Sequence, residues 1–294
     1  YLNSNDTLLT DVENPRTYTI ETETFMLNNP DRTANGYMFE GWSLNGNVVI
    51  GTEISVPKGS VGDKLFKAHF APITYNVILN LNGGILNEST RYDFNVETET
   101  FALPINVTKK GYKFIGWTGE NETTPRINVE VAKGTIGSLS YLANYEIITY
   151  NISYDFNGGS KQPYGEYREN YTVEDEVQPE KAVKLGYIFV NWNVYDVDEM
   201  GNETIIENVH FIGKGSIGNK KFVADYTPDK GTGYKVNHYI EKLDGAYELK
   251  EWQELKGETD TEITPEVNKY NGFISPKKQT KVICADGLTT IDYY

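Results

Sequence analysis

GYKFIGW, residues 111–117, is preceded by GYMFEGW at 36–42 and followed by GYIFVNW at 186–192, so the step from one glycine to the next is 75 residues each time. A catalytic motif is normally present once per active site, whereas a motif that returns at a fixed interval marks one supersecondary unit copied along a chain. Other segments fall into step with it. YNVILNLNGG from Tyr75 matches YNISYDFNGG from Tyr150, and YTIETETFML from Tyr18 matches FNVETETFAL from Phe94, with YTVEDEV from Tyr171 a weaker version. KGSVG from Lys58, KGTIG from Lys133 and KGSIG from Lys214 follow the tryptophan of each copy. They lead to FKAHF from Phe66, YLANY from Tyr141 and FVADY from Phe222.

Each copy reads as short alternating strands between Gly, Asn and Pro punctuation, with no sustained helical spacing of apolar residues. Tyr75, Val77, Leu79 and Leu81 share one face of a strand that ends in the turn Asn82-Gly83-Gly84. This pattern predicts antiparallel strands with one face buried. Gly36, Gly111 and Gly186 stand where a positive φ is expected, which glycine adopts without a Cβ clash. Strict alternation would put Trp117 on the face opposite Tyr112 and Phe114, and the residue before each tryptophan is Gly41, Gly116 or Asn191. A bulge there would return the tryptophan to the core face. An aromatic ladder can also hold sugars or stacked bases, but large rings stabilise a small domain most when buried. The Lys-Gly segments lack the spacing and following helix of a phosphate cradle and read as turns.

Composition agrees with strands. The 294 residues include 22 Tyr, 12 Phe, 4 Trp and 27 Gly, and 38% hydrophobic with 23% charged residues is the balance of a folding globular chain. The net charge of −15 excludes nucleic-acid binding as a leading reading, since phosphate backbones are held by Lys and Arg clusters. One cysteine, Cys284, excludes an intrachain disulfide, and in KVICADG it reads as a small buried hydrophobe. No apolar run approaches the roughly 20 residues of a membrane span. The first copy lacks an opening strand, and we read the chain as a fragment of something longer.

The strand, Asn-Gly-Gly, Gly-Tyr-x-Phe-x-Gly-Trp, Lys-Gly-Thr-x-Gly and x-Ala-x-Tyr elements of residues 1–228 resemble the Listeria–Bacteroides repeat, the B repeat of listerial internalins. The third copy departs with Asn191 for Gly and six extra residues before its Lys-Gly motif, which predicts a longer hairpin. Residues 229–294 break the period; HYIEKLDGAY, LKGETDTEITPEV, KYNGF and ADGLTTIDYY resemble a mucin-binding-protein type repeat. Asp244-Gly245 and Asp286-Gly287 read as hairpin turns. The resemblances imply a mainly β fold, a tandem, elongated array of four small β-grasp-like modules at 1–73, 74–148, 149–228 and 229–294. They also imply a non-enzymatic spacer or adhesive stalk, extracellular, on a bacterial surface or secreted. The partners they imply are host glycans, mucin or a surface protein, chiefly through the last module, with the chain itself a monomer. Short junctions after Phe70 and Tyr145 favour a rod, and Pro228, Gly231 and Gly233 place a hinge before the last module.

No catalytic, cofactor or metal residues emerge. His69 and His210 read as surface residues of strands, and His238 stands in a further module; the three have no evident common pocket. Glu97 and Glu99 read as solvated charge on one strand face. DVDEMGNETIIE places Asp196, Asp198, Gly201 and Glu207 at calcium-loop positions, but Met200 falls where a ligand is needed, and a hairpin is the expectation. Asn-x-Ser/Thr triplets at Asn5, Asn87, Asn106, Asn121, Asn151, Asn170 and Asn202 are read as unmodified if the source is bacterial.

Overall fold

A computed structural model describes residues 1–2, 7–48 and 51–294, so the triplet at Asn5 lies outside the described residues. The chain divides into two compact units, Tyr1–Glu146 and Ile147–Tyr294. Each unit contains two lobes with separate core clusters, almost entirely of β structure.

In the first unit, lobe one holds β1 (Phe25–Met26), a 3-10 turn (Thr33–Asn35), β2 (Tyr37–Leu44), β3 (Ser55–Val56) and β4 (Phe66–Pro72). Lobe two holds β5 (Tyr75–Asn80), β6 (Arg91–Phe94), β7 (Phe101–Ala102), β8 (Tyr112–Gly119), β9 (Glu130–Val131) and β10 (Leu139–Ile147). Its main sheet runs β6-β5-β10-β8, and β7 pairs with β9 beside it. In the second unit, lobe three holds β11 (Tyr150–Asp155), β12 (Asn170–Tyr171), β13 (Tyr187–Val197), β14 (Glu203–Ile206) and β15 (Asn219–Pro228) in the order β12-β11-β15-β13-β14. Lobe four holds β16 (Thr232–Glu241), β17 (Tyr247–Gly257), β18 (Glu262–Ile263), β19 (Lys281–Val282) and β20 (Thr289–Tyr293), with β17-β16-β20 as its sheet.

The expectation of antiparallel strands throughout is corrected at one pair in each of lobes two, three and four. β5 and β10, β11 and β15, and β16 and β20 are parallel neighbours. Parallel strands need a crossover of a dozen residues or more, and the turns and tryptophan strand between β5 and β10 supply one. Among the described residues of lobe one, Leu2 pairs parallel to Lys67, the register that Asn80 holds with Leu142 and Asp155 with Val223.

The expected bulge is present. In β2 against β4 the register passes from Phe39–Phe70 to Gly41–His69, leaving Glu40 unpaired, and in β13 against β15 it passes from Phe189–Tyr226 to Asn191–Asp225, leaving Val190. Trp42 then lies opposite Ala68 and Trp192 opposite Ala224. Gly41 takes φ 146° and Gly116 φ 128°, whereas Asn191 makes its bulge without a positive φ. Trp42, Trp117 and Trp192 are buried, at 0, 0 and 3% exposure. Their indole N–H groups donate to Asn29 Oδ1 at 3.0 Å, the Pro104 carbonyl at 2.8 Å and the Glu180 carbonyl at 3.0 Å. Core packing with a satisfied donor is what a buried indole requires.

Three further expectations are corrected. FNVETETF is not one strand: Val96–Thr98 turn away because the Asn95 and Thr98 side chains hydrogen-bond the local backbone, so Glu97 and Glu99 do not share a strand face. Asp286-Gly287 forms a turn, but β19 and β20 on its two sides join different sheets, since β20 is drawn parallel to β16. The junction at 229–231 is not a free hinge. The Asp229 amide donates to the Gly186 carbonyl at 2.9 Å, and buried Thr259 bonds the same carbonyl at 2.7 Å through its hydroxyl.

Candidate functional site in the last lobe

The repeated polar residues serve local structure. In the Lys-Gly segments Gly59, Gly134 and Gly215 have φ between 85° and 87°, and their amides donate to the carbonyls of Ile20, Val96 and Val173. Lys58 and Lys133 pair with Glu23 and Glu99 at 2.7 and 2.6 Å. These segments are turns, as expected. A second constellation went unread in the sequence although its lysines also stand one period apart. Lys109 Nζ donates to the Asn82 carbonyl at 2.9 Å and lies over the rings of Tyr112 and Tyr145. Lys184 repeats this on the Asn157 carbonyl, over Tyr187 and Tyr226. Tyr145 and Tyr226 in turn donate to the carbonyls of Leu81 and Phe156. Asn82 and Asn157 are left-handed, at φ 48° and 47°, and these bonds hold the Asn-Gly turns.

The histidines remain in separate lobes. His69, half-buried in β4, shares a hydrogen bond with Ser43 Oγ at 2.8 Å. His210 lies in the loop after β14 rather than in a strand, because the turn at Glu207-Asn208 ends the inserted hairpin; its Nδ1 lies 2.9 Å from the Trp192 carbonyl. The insertion forms the expected hairpin, with Val197 opposite Glu203. It does not gather Asp196, Asp198 and Glu207. Asp196 accepts from Lys220 at 2.6 Å, and Asp198 accepts from the Met200 and Asn202 amides and the Asn202 side chain across the turn. Among the described residues no three His, Cys, Asp or Glu side chains could hold one metal ion. Cys284 is exposed, because the neighbouring Ile283 takes the inward position at 0% exposure.

Lobe four presents a different arrangement. The hairpin of β16 and β17 turns at Asp244-Gly245, where Gly245 has φ 83°, and a bulge at His238/Tyr239 interrupts its register. Beside it a cleft of about 950 Å³ lies between this hairpin and the loop at 268–276. Tyr239, Tyr247, Tyr270, Phe273 and Tyr294 line it together with His238. His238 is only 2% exposed, stacked on Tyr293 with ring centroids 5.3 Å apart. Burial pushes its pKa down, against the opposing charge of Glu251. Glu251 accepts from the Tyr270 hydroxyl and the Asn268 side chain, and these bonds hold its carboxyl below the usual range. Sequence reading missed this site because its residues come from three separated segments. The aromatic count of the segment was the one available signal.

The fold and its constellations define a class of small β repeats whose shared residues maintain structure. The model of the Listeria-Bacteroides repeat domain matches residues 75–139 and 150–207, so the chain contains this non-catalytic module over those stretches. Two proteins of Evansella cellulosilytica are similar to it. One, described as a membrane protein, is 23% identical over 188 residues, 63% of this chain and 27% of the relative. The other, described as a Gly-rich membrane protein, is 26% identical over 178 residues, 56% of this chain and 19% of the relative. The chain therefore matches about a quarter or less of the length of each relative. Among the described residues no helix is long and apolar enough to cross a membrane.

Proposed function

We propose that this chain is a non-enzymatic repeat region of a bacterial surface protein, acting outside the cell as a spacer or adhesive stalk. Its modules are the β-grasp-like segments 1–73, 74–148 and 149–228, followed by a mucin-binding-protein-like module at 229–294. The observation that carries this reading is the fate of the repeated aromatics. Trp42, Trp117 and Trp192 are core residues, and Tyr145 and Tyr226 fasten turns, so what the repeat preserves is architecture. The match of the repeat model to two stretches supports the first part, and the membrane-protein descriptions of the relatives support a surface location.

Displaying the chain on a bacterial surface beneath an N-terminal epitope tests the spacer role. Deleting residues 74–148, one whole period, should leave the remaining segments folded and reduce antibody access to the epitope in proportion to the modules removed. Access independent of module number would overturn the spacer reading.

A further inference from the structure

The two edges of the lobe-four sheet differ. β20 forms one of them, and its Thr290 and Asp292 carbonyls accept from Lys281 Nζ at 2.6 Å and Gln279 Nε2 at 2.7 Å. β17 forms the other, and among the described residues neither a further strand nor a side chain covers it in this way. The edges of the tryptophan strands in lobes one and two are covered as well, by bridges from Trp42 to Gly51 and from Trp117 to Arg126. β17 is 11 residues long, and Tyr247 to Glu254 are all exposed, with Trp252 at 52%. A long exposed edge offers its unpaired N–H and C=O groups to another strand.

The order of charges along β17 selects that strand. Laid antiparallel on itself with Trp252 opposite Trp252, the segment Lys250-Glu251-Trp252-Gln253-Glu254 puts each Lys250 opposite a Glu254 and each Glu251 opposite a Gln253. We propose that β17 pairs with β17 of a second copy of this chain about a two-fold axis at Trp252, joining two three-stranded sheets into one. Two Lys–Glu pairs then flank a pair of tryptophans, and opposite charges and aromatic rings directly across a strand pair are favourable. The bulge in β17 fits this pairing. The register on β16 passes from His238–Glu251 to Tyr239–Leu249 and leaves Lys250 unpaired there. A bulge and a lysine are common means of keeping an edge from pairing, and an unrelated strand would meet that charge uncompensated, whereas a second copy presents Glu254 to it. Among the described residues neither Lys250 nor Glu254 has another ion-pair partner to give up. The net charge of −15 opposes association of two copies, and salt screens that long-range repulsion more than it weakens contacts within the interface. A dimer departs from the monomer that the resemblance implies.

Sedimentation equilibrium of the whole chain in about 0.15 M salt tests the pairing. A dimer with Kd below about 100 μM is expected. Lys250→Glu and Glu254→Lys, both at exposed side chains, should each weaken it by roughly 10-fold or more while the melting temperature is kept. The double variant Lys250→Glu/Glu254→Lys should dimerise as the parent does, and the two single variants should associate with each other when mixed, because opposite charges again face one another. A chain that stays monomeric at that concentration, single variants that dimerise as well as the parent, or a double variant that does not recover would each overturn the proposal. Capture of a different protein's strand by a chain that remains monomeric falls under the first of these. A spacer needs no dimer, so these outcomes are distinct from the epitope access that tests the spacer reading.

Discussion

Tyr37 in β2 donates its hydroxyl to Glu97 Oε1 at 3.0 Å, joining lobe one to the turn after β6 in lobe two. In the second unit Tyr187, one motif later but one, donates in the same way to Asp260 of lobe four. Each tyrosine follows the glycine of the repeated motif, whose carbonyl accepts from Ile73 in one unit and Asp229 in the other. In lobes one and three the motif therefore faces two ways, with its tryptophan in the core of its own lobe and its Gly-Tyr pair against the other lobe of the same unit.

Removing the hydroxyls should loosen the contact between lobes without unfolding either one. In Tyr37→Phe and Tyr187→Phe, the amides of Ile73 and Asp229 should exchange with solvent several-fold faster, while amides of the tryptophan strands keep their protection. Uniform exchange across the unit, or no change at Ile73 and Asp229, would show that these tyrosines do not couple the lobes.

The glycines before them are more demanding. A Cβ at Gly36 (φ 78°) would stand 2.2 Å from Val96 Cγ1, and one at Gly186 (φ 75°) would stand 2.6 Å from the Ala285 Cα. Gly134 has φ 87° with nothing within 4 Å. Gly134→Ala should then cost only the left-handed penalty of about 1–2 kcal/mol. Gly186→Ala meets backbone, which cannot move aside as a side chain can, and should cost clearly more. Denaturant midpoints of the two variants decide it, and equal losses would mean that the close approach contributes little.

Trp117 is completely buried, and its loss leaves a cavity in a small core. Trp117→Ala should cost about 3–5 kcal/mol, and the lobe that contains it should melt separately from the rest. A variant that keeps the wild-type thermal transition would return the aromatic motif to the reading of a ligand platform.

Acid sensitivity has a local source. Asp175 accepts from the Thr172 hydroxyl and amide and from Arg168, and these bonds lower its pKa to about 2. Because the folded pKa lies below the unfolded one, the stabilisation is present above the ordinary aspartate pKa and is lost as pH falls toward 2. Asp175→Asn should lower stability modestly at neutral pH and flatten the dependence between about pH 4 and 2. An unchanged slope there would assign the acid transition to other carboxylates.

Calcium should leave the melting temperature where it is. Asp196 is bonded to Lys220 and Asp198 to its own turn, and neither is brought to Glu207. A rise of several degrees with calcium, reversed by chelator, would require the hairpin to rearrange around the ion.

The amino-acid sequence by itself determined what is local and periodic. The 75-residue step, the burial of Trp42, Trp117 and Trp192, the bulge before Trp42 and Trp192, and the turns at Asn82-Gly83, Asp244-Gly245 and the Lys-Gly segments all follow from side-chain alternation and from glycine's access to positive φ. Only the tertiary structure decided which strands become neighbours. The parallel pairing of β5 with β10, and of β16 with β20, depends on crossover paths that no short window of sequence contains. The same holds for the exposed Cys284 and the bonded junction at Asp229, since each is set by contacts with distant segments. The cleft around His238 is of this kind too: a strand, a hairpin and a loop close on it from separate stretches, and a site made of long-range neighbours has no linear signature.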